Sequence, residues 1–172
     1  MQVTFSTFVP EAQAYFDQGV RLLFNFNHEA AIRSFEAALG QDPDCTMCYW
    51  GIAFAYGPNI NLPMMKEAAE PAWEAVKKGL ALAATAPPDE AAYMNAVAVR
   101  YAGVAGDDRR PLDEAFASEM RKVAIAYPDD PDAQVFFAEA LMDLQPWDYW
   151  QADGKSPKGN AAEIVSTLER VL

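Results

Sequence analysis

From Tyr15 onward, apolar positions recur at helical spacing and are broken by short polar or proline-bearing stretches. Tyr15 and Leu22 are separated by two turns, and Ala31, Phe35 and Ala38 follow four and three residues apart. Between these runs lies Asn25-Phe26-Asn27-His28, which predicts the end of one helix and the N-cap of the next. Pro43 cannot continue a helix and marks a boundary. Tyr49 stands 34 residues after Tyr15 and starts the pattern again with Ile52-Ala53 and Tyr56. Gly57-Pro58-Asn59-Ile60-Asn61-Leu62-Pro63 then intervenes, and a return helix is expected over 67–84, with Ala72 and Val76 four apart. Pro87-Pro88 stops that helix. A further helix is predicted over 89–101, carrying Tyr93, Ala96, Val97 and Tyr101, followed by a long turn over 103–111 and a partner helix over 112–127. The last pair is predicted as a helix over 132–144, a loop over 145–160 containing Gly, Pro and Trp, and a final helix over 161–172 with Ile164, Leu168 and Val171.

Composition supports an all-helical reading. Alanine accounts for 32 of the 172 residues, and runs of Val, Ile and Thr, the residues favoured in strands, are few. Hydrophobic residues make up 52% and charged residues 22%, enough apolar surface for a real core and too much for intrinsic disorder. The length suits one domain, read as four helical pairs at about 12–45, 46–88, 89–131 and 132–172, the last incomplete.

The order Tyr15, Gln18-Gly19, Leu22, Ala31, Phe35, Ala38, Pro43 resembles the tetratricopeptide repeat, a 34-residue unit of two helices. Its large first residue, leucine and tyrosine have become Tyr15, Gln18 and Leu22, whereas the small residues, the phenylalanine and the proline match. Gly19 and Ala31 are small where the paired helices cross, and Phe35 fills the groove beside them. The fold class this implies is all-α, a tetratricopeptide-like solenoid of helical hairpins coiled as a right-handed superhelix. An insertion such as 57–63 would fall on a loop, often on the binding face. The segments around Cys45 to Gly51, Gly57 to Met64 and Leu141 to Trp150 look like longer bacterial tetratricopeptide proteins. That likeness implies an exported or periplasmic setting and carries over no catalytic residue. Terminal units of a solenoid normally need a polar cap, which the 161–172 segment lacks. The expectation is therefore a natural protein that continues beyond Leu172, or one that self-associates through its uncapped C-terminal face.

Charge narrows the partners. With 25 acidic against 13 basic side chains the net charge is -12, a poor match for nucleic acid, whose binding rests on clustered Lys and Arg. No apolar run is long enough for membrane insertion, and the first ten residues lack the features of a signal peptide, which leaves the compartment open.

Cys45 and Cys48 form a CxxC at a predicted helix start, where the helix dipole favours a thiolate. Three readings stay open: small apolar packing residues, a disulfide in an oxidising compartment, or a redox dithiol or soft site for a copper ion. In the last case Met64 and His28 are candidate further ligands, with Met47 and Met65 nearby. His28 also fits a capping role at the start of its helix. Asn59 and Asn61 either present amides from a stiff loop or satisfy that loop's own backbone. Trp147, Tyr149 and Trp150 either anchor a ligand or plug a long loop onto the helices. Asp107-Asp108, Asp129-Asp130 and Asp132 read as solvated turns and N-caps.

With one histidine, no phosphate loop and no Ser-His-Asp order, the chain is not expected to be an enzyme or to need a cofactor. The expected function is a scaffold whose concave, acidic groove binds a protein or peptide segment bearing Lys or Arg. Residues expected to contact the partner are Tyr15, Tyr49, Asn59, Asn61, Tyr93, Trp147 and Trp150, with Arg21 and Phe54 on the same faces.

Overall fold

The computed structural model describes residues 5–101 and 108–172. Most of the turn expected over 103–111, with Asp107, lies outside them. Among the described residues the regular structure is helical: α1 (Pro10–Phe24), α2 (His28–Gln41), α3 (Thr46–Tyr56), α4 (Ala69–Ala83), α5 (Pro88–Val99), α6 (Arg110–Ala126), α7 (Pro131–Asp143) and α8 (Ala161–Glu169), with a short 3-10 turn at Lys66–Ala68 before α4. Proline stands in the first turn of α1, α5, α6 and α7, where its missing N–H costs nothing and its fixed φ suits the helix. The helices follow the expected spans to within a few residues, the largest difference being at α8, which ends at Glu169 rather than 172.

Each helix packs against the next in sequence, and α3 also touches α5 and α1. The close crossing of the first three helices has a specific cause. A Cβ on Gly19 would lie 2.6 Å from the Phe35 ring, and so would a Cβ on Gly51. One phenylalanine of α2 is thus seated between a glycine of α1 and a glycine of α3, and only hydrogen fits at either place. Helix α3 is apolar around its whole circumference, with nine of its eleven residues buried, as expected for a helix covered on every side.

Contacts also cross from one end of the chain to the other. Trp50 lies 4.8 Å from Phe136 and 5.7 Å from Tyr93, ring centre to ring centre, and Phe54 lies 5.2 Å from Phe136. Phe24, at the end of α1, stacks on Phe136 of α7 at 5.5 Å. The Ser6 N–H donates to the Glu90 carboxylate at the start of α5 (2.5 Å), while Phe5 is buried against Phe16. These rings occupy the inner faces of α1, α3, α5 and α7, so aromatic core fills the side where an open concave groove was expected.

Candidate binding pocket

An opening lies beside these rings. Between the end of α1, α3, the 57–63 segment, α7 and α8 lies a cavity of about 170 Å³, walled by Leu23, Phe24, Phe26, Phe54, Ile60, Val135, Phe136, Ala138, Glu139, Met142 and Leu168. Local chemistry puts each wall in place. After α1 the chain reverses through Phe26 at φ 56, a left-handed conformation unusual for a residue with a side chain, and its ring is left 48% exposed. Ile60 comes from the inserted segment, which is closed by backbone hydrogen bonds between Asn59 and Leu62 and by the Asn59 Oδ1, which accepts from the N–H groups of Asn61 (2.9 Å) and Leu62 (3.2 Å). Helix α7 supplies the far wall from its Val135-to-Met142 stretch.

Glu139 is the one charged side chain among the lining residues, and among the described residues no hydrogen bond reaches it. Burial, reinforced by Asp143 one turn along, pushes its carboxyl up to about 7, against the opposing pull of Arg100. Arg100, fully buried just after α5, is committed elsewhere. Its Nε donates to Asp113 (2.9 Å), its Nη2 to Asp143 (2.7 Å) and to the Pro58 carbonyl (3.2 Å), and its guanidinium lies 4.6 Å from the centre of the Phe116 ring. Arg109 also reaches Asp113, at 3.5 Å. With Asp113 and Asp143 turned to Arg100, Glu139 is the carboxylate left at the pocket, and it carries its charge above about pH 7. Such a site holds a group of about the size of a benzene ring, for which a cavity near 150 Å³ suffices, and meets any positive charge on it with a carboxylate.

None of the seven residues expected at a partner surface lines this pocket. Tyr93 is corrected outright: it is 4% exposed, its hydroxyl donates to Asp130 (2.7 Å), and its ring packs on Trp50 and Phe136. Phe54, also expected on an open groove, is buried at the pocket's base. Tyr49 packs against the core, and Tyr15 and Arg21 are exposed. Asn59 spends its side-chain oxygen on its own loop, whereas Asn61 is exposed. In the 145–160 loop Tyr149 packs inward while Trp147, at φ 60, is 71% exposed and Trp150 48%. Only the tyrosine of that aromatic cluster plugs the loop to the helices.

Cys45 and Cys48 form a disulfide and are buried. Cys45 is the N-cap of α3, its sulfur accepting the Cys48 N–H at 3.0 Å. With both sulfurs bridged, the set Cys45, Cys48, Met64 and His28 is not a thiolate site for copper, and among the described residues no group of three or more His, Cys, Asp or Glu is placed to hold a metal ion. His28 is the first residue of α2, half-buried, with its ring 6.2 Å from Phe26, and burial lowers its pKa. Among the described residues no helix is long and apolar enough to cross a membrane.

The pocket residues that sequence reasoning missed did leave traces. Phe26 is an aromatic inside a polar turn, and Glu139 is a lone carboxylate within an apolar run from Val135 to Met142. Compared with known protein families and with curated proteins, the chain matches none.

Proposed function

We propose that this chain is a tetratricopeptide-like array of four helical pairs, α1–α2, α3–α4, α5–α6 and α7–α8, that acts as a binding module without catalysis of its own. The array captures a peptide segment of a partner protein by taking one bulky side chain into the pocket between α1, α3 and α7. The observation that carries this reading is the pocket itself, an apolar cavity about 170 Å³ in volume rimmed by the exposed rings of Phe24 and Phe26. Ile60 supports it, because a repeat-unit insertion then contributes directly to the binding site. The net charge of -12 favours partners with Lys or Arg beside the anchor, drawn in by long-range attraction. The buried Cys45–Cys48 disulfide supports an exported setting, since such bonds persist in oxidising compartments. Copper retention is not part of this reading.

The test is selection from a displayed random-peptide library against the wild-type chain and against Val135→Trp, which fills the pocket from α7. Enriched sequences sharing one bulky apolar residue beside basic ones, lost with Val135→Trp, are expected. No common anchor, or equal capture by the filled variant, would sink the proposal.

A further inference from the structure

The pocket is unusual in what surrounds its single charge. Four of its walls are phenylalanine rings, Phe24, Phe26, Phe54 and Phe136, which have no hydrogen-bonding group, and Met142 adds a thioether. Glu139 contributes the only carboxylate among the lining residues and accepts no hydrogen bond from any described residue. Arg100 makes no hydrogen bond to it: its Nε and Nη2 are held by Asp113, Asp143 and the Pro58 carbonyl, and its buried Nη1 has no hydrogen-bond partner among the described residues, so Glu139 feels that guanidinium only through its field.

A cation entering this space would meet aromatic rings, of which Phe24 and Phe26 are the exposed ones, and a carboxylate together. Which cation follows from counting donors. A primary ammonium brings three N–H groups, a single carboxylate cannot satisfy them all, and each N–H left over in an apolar site is penalised. An ammonium whose hydrogens are replaced by methyl groups has no donor to satisfy. Its methyls make apolar contact with the rings, and its positive charge meets the Glu139 carboxylate, which is ionised at pH 8.

Building on the reading of this cavity as the binding site, we infer that the group it selects is a methylated, quaternary ammonium, held among Phe24, Phe26, Phe54 and Phe136 with Glu139 as its counter-charge. The same chemistry is offered by a trimethylated lysine in a peptide and by a small free quaternary amine.

The experiment titrates the full chain, by calorimetry or NMR at pH 8, with choline and with 3,3-dimethylbutan-1-ol, its neutral twin in shape. Two blocked peptides, one carrying lysine and one Nε-trimethyllysine, are titrated in parallel. Choline should bind at least about tenfold more tightly than the alcohol, and Glu139→Gln should bring the two within about twofold. Glu139→Met serves if the glutamine variant does not fold, and the wild-type ratio needs no variant. A trimethyllysine peptide binding more tightly than choline, with the lysine peptide well behind, identifies a peptide source. Choline binding as tightly as that peptide identifies a free amine.

Equal binding of choline and the alcohol, or a ratio unchanged by Glu139→Gln, overturns the inference and leaves the pocket as an apolar site. Failure of every probe to bind, or equal binding to Val135→Trp, overturns the pocket reading and the inference with it.

Discussion

Replacing Gly51 by alanine tests the packing of the first three helices most directly. In an unencumbered helix the change should stabilise, because alanine exceeds glycine in helix propensity by about 0.8–1 kcal/mol. Here the new methyl would sit 2.6 Å from Cζ of Phe35, with Cε2 and Cε1 at 2.7 and 2.8 Å. The ring cannot retreat toward α1, because Gly19 already meets it there at the distance where even a Cβ would clash. Overpacking a closed site costs about 1–3 kcal/mol, which offsets the propensity gain and leaves a net loss of up to about 2 kcal/mol. At this chain size that lowers Tm by up to about 8 °C. Gly40, in α2 with nothing within 4 Å of where a methyl would stand, is the internal control: Gly40→Ala should gain up to about 1 kcal/mol. Urea denaturation of both variants beside wild type measures the gap, and Phe35→Leu in the Gly51→Ala background should narrow it. If Gly51→Ala proves as stable as Gly40→Ala, the Phe35 ring is not clamped between two glycines and the account of the helix crossing is wrong.

Other outcomes follow from the buried charges and the disulfide. Burial raises the carboxyls of Glu139 to about 7 and of Asp143 and Asp132 to about 6, above their unfolded values; their contribution to stability is therefore full below about pH 4 and is lost as pH rises through 6 and 7. Urea midpoints should fall between pH 5 and pH 8, and Glu139→Gln should flatten that slope; an unchanged slope would remove Glu139 from the explanation. Arg100→Met should destabilise by about 3–5 kcal/mol, since it strands Asp143 and Asp113, and the deficit should shrink at pH 5, where Asp143 takes up a proton. Reducing the Cys45–Cys48 bond should cost about 2 kcal/mol, the chain-entropy value for so short a loop, and thiol reagents should find no free cysteine in the native oxidised protein. Two titratable thiols in that sample would contradict the bridge.

The helical spans were readable because their signals are local. Pro43, Pro87-Pro88 and Pro128 punctuate the chain, and the spacing of Gly19, Ala31 and Phe35 carries the crossing of α1 and α2 within one stretch of sequence. Gly51 was harder to see, since its reason is a ring on another helix, sixteen positions earlier. The pocket was not readable for the same reason on a larger scale. Phe24 and Phe136 are far apart in sequence and meet only because the chain folds back to bring the end of α1 to α7. A periodic pattern reports which face of a helix is apolar and cannot say that inner faces of distant helices will close on one another. Tyr93 illustrates the resulting error: expected on an open face, it is buried against Trp50 and Phe136.

Arrays of helical pairs ordinarily touch only their neighbours, so they can lose an end unit and keep the rest. The Phe24–Phe136 stack and the Ser6–Glu90 hydrogen bond break that rule, because they tie the first pair to the fourth and to the third. The molecule is in this respect closer to a clasped ring than to a stack of coins. Its amides should exchange with solvent as one unit rather than fraying from an end, and removing α7 and α8 should unseat the first pair along with the last.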